Sequence, residues 1–99
     1  MNGIESIAAE RQRQIEVEGW TPEHDDEHVD GSLGLAAACY AIEVPGNYLQ
    51  FIDGLGPMIW PWAYKWWKPK SYRENLIRAG ALIAAEIDRL DRAEALLQT

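Results

Sequence analysis

The chain has a single cysteine, nine positive charges against sixteen negative ones, and no apolar run as long as a membrane span. Each shortage excludes something. One cysteine, Cys39, rules out an internal disulfide framework, and its apolar neighbours from Leu35 to Ile42 predict a small buried thiol rather than a nucleophile. Such surroundings raise a thiol pKa instead of lowering it. A formal charge of −7 and a pI near 4.7 argue against general nucleic-acid binding and against adhesion to anionic membranes, both of which need basic surface. The N-terminus, Met1-Asn2-Gly3-Ile4-Glu5-Ser6, lacks the basic-then-apolar pattern of a secretory signal, so the expected location is the cytoplasm. No internal repeat, low-complexity tract or strand pattern is present either. Residues 1–99 therefore read as a single all-α domain, with 47% hydrophobic residues to form one modest core.

The helices are marked by their punctuation. Ile4, Ile7, Ala8, Arg11 and Ile15 follow helical spacing, which predicts a first helix from about Ile4 to Glu18 that Gly19 ends. Thr21-Pro22-Glu23-His24 combines an N-cap, a proline at the first helical position and early acids, so a short helical turn starts there and Gly31 limits it. A further start at Ser32 leads into a helix of roughly Leu33 to Glu43, stopped by Pro45-Gly46. Val44 to Pro69 is a long irregular connection rich in Trp, Pro and Gly, in which Tyr48, Leu49, Phe51 and Ile52 suit a short turn packed on the core. Ser71-Tyr72-Arg73-Glu74 then reads as a capping box. The last helix it opens carries an apolar stripe at Leu76, Ala79, Ile83, Ile87, Leu90, Ala93 and Leu97. Gly80, costly in a helix interior by about 1 kcal/mol against Ala, allows close contact with another helix or a Trp ring. The expected architecture is a small bundle of three to four helices.

The connection holds the densest chemistry. Trp60, Trp62, Trp66 and Trp67 are four of the five tryptophans, and Lys65, Lys68 and Lys70 alternate with them. Ring faces beside positive charge are what a flat anionic ligand such as a nucleotide requires. Arg73 adds a further phosphate contact, Tyr64 and Tyr72 add hydroxyls, and the helix start at Ser71 to Arg73 adds backbone N–H groups. Trp20 is a further ring. Arg11, on the apolar side of the first helix, either snorkels or reaches a carboxylate or phosphate. The plainer alternative is that the rings cap one end of the bundle while the lysines stay solvated.

A second cluster, His24-Asp25-Asp26-Glu27-His28, places two imidazoles four residues apart, a spacing compatible with a shared metal. Asp25, Glu27 or Asp30 would then supply oxygen. The alternative, which we favour, is structural: acids stabilising a helix N-terminus, with His24 capping or packing on Trp20 and no metal or cofactor bound. On the last helix, Glu86, Asp88 and Asp91 with Arg89 and Arg92 read as a salt-bridged solvent face, Asp88 pairing with Arg92. Charge is uneven along the chain: seven acids and no Lys or Arg from Glu16 to Asp30, five bases and one acid from Lys65 to Arg78. Opposed segments of this kind suit a homo-oligomer with the last helix at its interface.

The words Glu10-Arg11-Gln12-Arg13-Gln14, Glu18 to Asp26, Ala36 to Tyr40, Trp60-Pro61-Trp62, Trp66 to Pro69 and Ala79 to Leu90 together resemble a family of small proteins of bacteriophages and prophages. The resemblance implies a phage-encoded protein acting in the host cytoplasm. A weaker likeness is to the all-α nucleotide pyrophosphohydrolases of the MazG-like kind, whose ExxE and ExxD pairs hold magnesium over a triphosphate. Here the third helix offers only Glu43, and Glu86 is followed by Arg89 where that pattern has an acid. The resulting expectation is a non-enzymatic protein that sequesters a nucleotide-type ligand, such as a host immune signal, in an anti-defence role. The alternatives are metal-dependent hydrolysis through His24, Asp25, Asp26, His28 and Glu86, and an acidic inhibitor whose Glu16 to Asp30 surface blocks a host defence protein.

Overall fold

Asn2 and Glu5 open the first helix by satisfying each other. The Asn2 side chain accepts the Glu5 N–H and the Glu5 carboxylate accepts the Asn2 N–H, a complete capping box. In the computed structural model, which describes residues 1–43 and 59–98, this helix is α1, Gly3–Glu16. Gly19 follows in the left-handed region at φ 75° and turns the chain. Thr21 caps α2, Pro22–Asp25, its hydroxyl accepting the His24 N–H, with Pro22 at the position expected. Gly31, at φ 82°, is the N-cap of α3, Ser32–Ala41. Tyr64–Trp66 forms one 3-10 turn, and Ser71 caps α4, Tyr72–Leu97. The described residues contain no strand, so the all-α expectation holds. The turn expected around Tyr48, Leu49, Phe51 and Ile52 lies outside the described residues.

The Ser71 cap differs from the sequence reading in one bond. Glu74 donates its backbone N–H to the Ser71 hydroxyl as expected, but its carboxylate takes the Ser71 O–H rather than a backbone N–H. The complete box sits instead at Asn2, just before the helix start expected near Ile4, where the sequence reading had placed no cap.

The core lies between α3 and α4, and it is built from small side chains. Leu33, Ala36, Ala37, Cys39 and Tyr40 of α3 meet Ala79, Leu82 and Ala85 of α4. Alanines on both sides let the two backbones approach, which is how two thin helices bury a continuous surface. α1 packs on α4 as well, through a face that overlaps the expected one: Ile7, Arg11 and Ile15 are partly buried. Ser6 and Gln14 are buried, while Ile4 and Ala8 are exposed. Gly80 accounts for the inward position of Ile7. A Cβ built on it would come within 2.5 Å of Ile7 Cδ1 and 2.8 Å of Ile7 Cγ1, so Ile7 occupies the hollow the glycine leaves. Ser6 then accepts a hydrogen bond from Arg73 of α4 at 3.2 Å.

α4 too faces otherwise than a simple amphipathic reading suggests. Its buried side is Asn75, Ala79, Ala81, Leu82, Ala85 and Arg89, and Leu76, Ile83, Ile87, Leu90 and Leu97 of the apolar stripe are exposed. No helix among the described residues is long and apolar enough to cross a membrane.

Two expected outcomes test this packing. Gly80→Ala should destabilise by up to about 2 kcal/mol, because a clash of about 1–3 kcal/mol outweighs about 1 kcal/mol of helix propensity. In an Ile7→Ala background the same change should stabilise by up to about 1 kcal/mol, measured by urea unfolding. Cys39 is fully buried, and burial pushes its thiol up to about 11. Its labelling at pH 8 should therefore be at least about 100-fold slower in the folded protein than in the denatured chain, from thiolate fraction alone.

Candidate ligand-binding pocket

A helix of four residues has no stability of its own, since nucleation fixes several residues for one hydrogen bond. Two arginines from other helices hold α2 in place. Arg11 of α1 donates to Asp25 Oδ2 and, at 3.1 Å, to the Trp20 carbonyl. Arg92 of α4 donates to Asp26 Oδ1 at 2.8 and 3.0 Å and to the Pro22 carbonyl at 3.2 Å. Asp25 is buried and Arg11 nearly so, which makes theirs the most enclosed ion pair of the α2 region. Arg11 therefore finds a carboxylate, one of the partners its sequence position allowed. Arg92 corrects the sequence reading: it reaches across to Asp26 and not along its own helix to Asp88. The hydrogen bond to Asp26 raises the Arg92 pKa above the usual guanidinium value.

The tryptophan segment is pinned with equal care. Tyr40 of α3 stacks on Trp67, ring centres 4.9 Å apart, and meets Trp60 edge-on. Its hydroxyl accepts the Lys68 backbone N–H and an Arg78 N–H, both at 3.4 Å. Arg78 also donates to the Lys68 carbonyl at 2.7 Å. Buried Asn75 grips Lys70 on both sides, its Oδ1 accepting the Lys70 N–H and its Nδ2 donating to the Lys70 carbonyl. Trp60 is buried and donates its indole N–H to the Ala63 carbonyl at 3.2 Å, which removes the usual cost of a buried indole. Trp62 meets Trp60 edge-on at 5.4 Å and lies 5.4 Å from the His28 ring.

Between α2, α3 and this segment lies a cavity of about 480 Å³. Trp20, Trp60, Trp62, Trp66, Tyr40 and Leu33 give it apolar walls, and Glu18, His24, Asp25 and His28 supply its polar groups. A hollow of this size, with aromatic walls and a few converging polar atoms, is the usual form of a small-molecule site. Two polar features stand out. His24 Nδ1 is buried with no hydrogen-bond partner among the described residues, 3.6 Å from Asp25 Oδ1. His28 Nδ1 is 3.2 Å from the Ser32 hydroxyl, whose residue also donates its N–H to Asp30 Oδ1. Hydrogen bonding from the Ser32 side chain and backbone N–H holds the Asp30 carboxyl below its ordinary value.

The expected site residues divide. Trp20, Trp60, Trp62 and Trp66 line the cavity; Tyr64 and Trp67 pack against the core beside it. Trp66 is half exposed, and Lys65 and Lys68 hold their ammonium groups 5.3 and 5.6 Å from its ring centre. Lys70 and Arg73 belong to a separate hollow of about 430 Å³, which they share with Ser6, Glu10 and Glu74, and Tyr72 is exposed. Burial tends to raise the Glu10 pKa, but the hydrogen bonds and charge of Arg13 outweigh it and hold this carboxyl below its usual range. His24 and His28 do come together, rings 5.1 Å apart, yet among the described residues no three His, Cys, Asp or Glu side chains gather as a metal-ligand group. The carboxylates that hydrolysis would need are each engaged: Asp25 by Arg11, Asp26 by Arg92 and Glu86 by Arg89. Sequence reasoning missed Glu18, Leu33 and Tyr40. Tyr40 lies seven residues after Leu33, on the same helix face, and that spacing was the available signal.

The Arg11–Asp25 pair should be indispensable to this site. Asp25→Ala or Arg11→Ala leaves a buried charge unpaired and should cost about 3–5 kcal/mol, read from denaturant unfolding. Arg11→Met with Asp25→Leu should cost much less than the two single changes summed, while still loosening Trp20, visible as altered indole fluorescence.

No family model matches the chain, no curated protein matches its sequence and no solved structure matches its fold.

Proposed function

We propose that the protein binds a small nucleotide-type ligand and holds it without turnover, the ring in the aromatic cavity and the phosphates toward Lys65 and Lys68. The observation that carries this reading is the division of charge around Trp66. Among the described residues, the cavity lining contains carboxylates and imidazoles but no Lys or Arg, so its interior favours a neutral heterocycle bearing N–H donors over an anion. Positive charge is found at the half-exposed Trp66 ring, one of the cavity walls, where two lysines already sit. A nucleotide has the same polarity: a flat, hydrogen-bonding ring at one end and an anion at the other.

Stacking on aromatic walls gives affinity for any base, and Glu18, His24 and His28 give it selectivity. Sequestration fits better than hydrolysis because a magnesium site would require carboxylates now bound to arginines to leave them. The resemblance to phage proteins makes a host signalling nucleotide the first ligand class to test, in keeping with an anti-defence role.

Titration with a panel of linear and cyclic nucleotides should change the tryptophan fluorescence. Trp66→Ala should then weaken binding by about 1–3 kcal/mol, the worth of one base–aromatic stack. It is the cleanest variant, because Trp60 and Trp67 also pack the core. Lys65→Ala and Lys68→Ala should weaken binding in a manner that fades at high salt. If no nucleotide in the panel alters the fluorescence, the reading fails, and the acidic Glu16 to Asp30 segment as an inhibitor of a basic host protein takes its place.

A further inference from the structure

We infer that the exposed stripe of α4 is a two-fold interface, closed by α4 of a second copy of this chain running antiparallel. The inference stands apart from the ligand reading, since α4 contributes no wall to the aromatic cavity.

The stripe is the reverse of what a lone helical domain would present. α4 turns alanines and one large apolar residue, Leu82, toward α3, and leaves Ile83, Ile87 and Leu90 about half exposed at 48%, 52% and 52%. With Leu76 and Leu97 these residues step by 7, 4, 3 and 7, the seam of a coiled coil over three heptads. Such a seam is about 32 Å long at 1.5 Å per residue. An apolar band of that length, broken by Gly80, where Ile7 of α1 packs, and by Glu94, marks an interaction surface.

The charges flanking it select the partner and its direction. Arg73 and Asp91 are eighteen residues apart, which is five turns of about 3.6 residues, so they lie on the same side of the helix. Residue 82 is their midpoint, and residue 83 is the midpoint of Leu76 and Leu90. One two-fold axis near Ile83 therefore does several things together. It sets Ile83 on its own equivalent, Leu76 against Leu90 of the partner subunit, and Arg73 beside Asp91 of the partner subunit. Asp88, Asp91 and Glu94 are exposed and form no salt bridge among the described residues, so the acidic end of α4 has charge to offer. Arg73 uses one N–H on Ser6 and has others free to reach a carboxylate. A parallel pair would set the seam residue Glu94 against itself, which is repulsive. The surface is thus self-complementary in one orientation, as an isologous contact must be.

Sedimentation velocity of the full chain at micromolar concentration should give twice the 11.2 kDa chain mass. Ile83→Glu and Ile87→Glu should each give the monomer with helical circular dichroism unchanged, since both side chains are on the outside of the fold. Arg73→Glu should weaken the dimer by up to about thirtyfold, the range of the two symmetry-related exposed ion pairs it removes, and adding Asp91→Arg should restore it. Disulfide trapping reads the direction. Ile83→Cys, on the axis, should oxidise to a covalent dimer, whereas Leu97→Cys, far from it, should not. A chain that stays monomeric overturns the proposal. So does a monomer that cosediments with phosphatidylcholine vesicles, which would assign the stripe to a bilayer surface. Efficient trapping through Leu97→Cys would overturn the antiparallel arrangement.

Discussion

The cavity exists because two arginines hold a helix too short to hold itself. α2 has four residues and a single side-chain cap, and without Arg11 and Arg92 nothing in its own sequence would fix it against the rest of the molecule. The two clamps differ in kind. Arg92 meets Asp26 in partial exposure, where an ion pair contributes little more than direction. Arg11 meets Asp25 in the interior, where loss of either partner strands a charge. Arg11 also binds the Trp20 carbonyl, so one guanidinium fixes both a wall of the cavity and the helix that carries His24. A buried ion pair is a poor source of net stability, but it is a strict positional device, and position is what this site requires.

The tryptophans illustrate a second division of labour. Trp60 and Trp67 pack around Tyr40 and satisfy the core, Trp62 bridges toward His28, and Trp66 stands half in solvent with two lysines over it. A segment containing two prolines and one 3-10 turn cannot supply its own scaffold. Side chains from α3 and α4 do so, with Tyr40, Asn75 and Arg78 taking up the backbone groups of Lys68 and Lys70. The core and the candidate site are consequently one aromatic cluster seen from two sides, which is why the sequence could be read as either.

Small residues are the other constraint. Alanines on α3 and α4, and Gly80 opposite Ile7, bring three helices close enough that few large side chains are needed inside. The larger aliphatic residues of α4 are then left outside. That exchange accounts for a helix whose apolar stripe and buried face do not coincide.

Much of the local structure was legible in the chain: the Thr21-Pro22 and Ser71 starts, the left-handed turn at Gly19, the burial of Cys39 and the close approach at Gly80 all follow from short-range sterics and hydrogen bonding, although α1 stops at Glu16, two residues short of the expected end. Those forces act over three or four residues, within one helical turn. Which face of α4 goes inward, whether Arg92 takes Asp88 or Asp26, and whether Lys70 and Arg73 share a hollow with the tryptophans depend on other elements, and periodicity is blind to them. Tyr40 is the clearest case. In sequence it is one aromatic residue near the end of an alanine-rich helix, and in the fold it touches Trp60, Trp67, Lys68 and Arg78 from across 20 to 38 positions. The sequence by itself determined where helices begin, end and can touch. Only the tertiary structure decided which side chains met, because ion pairing, ring stacking and burial are settled by distance in space and not by spacing along the chain.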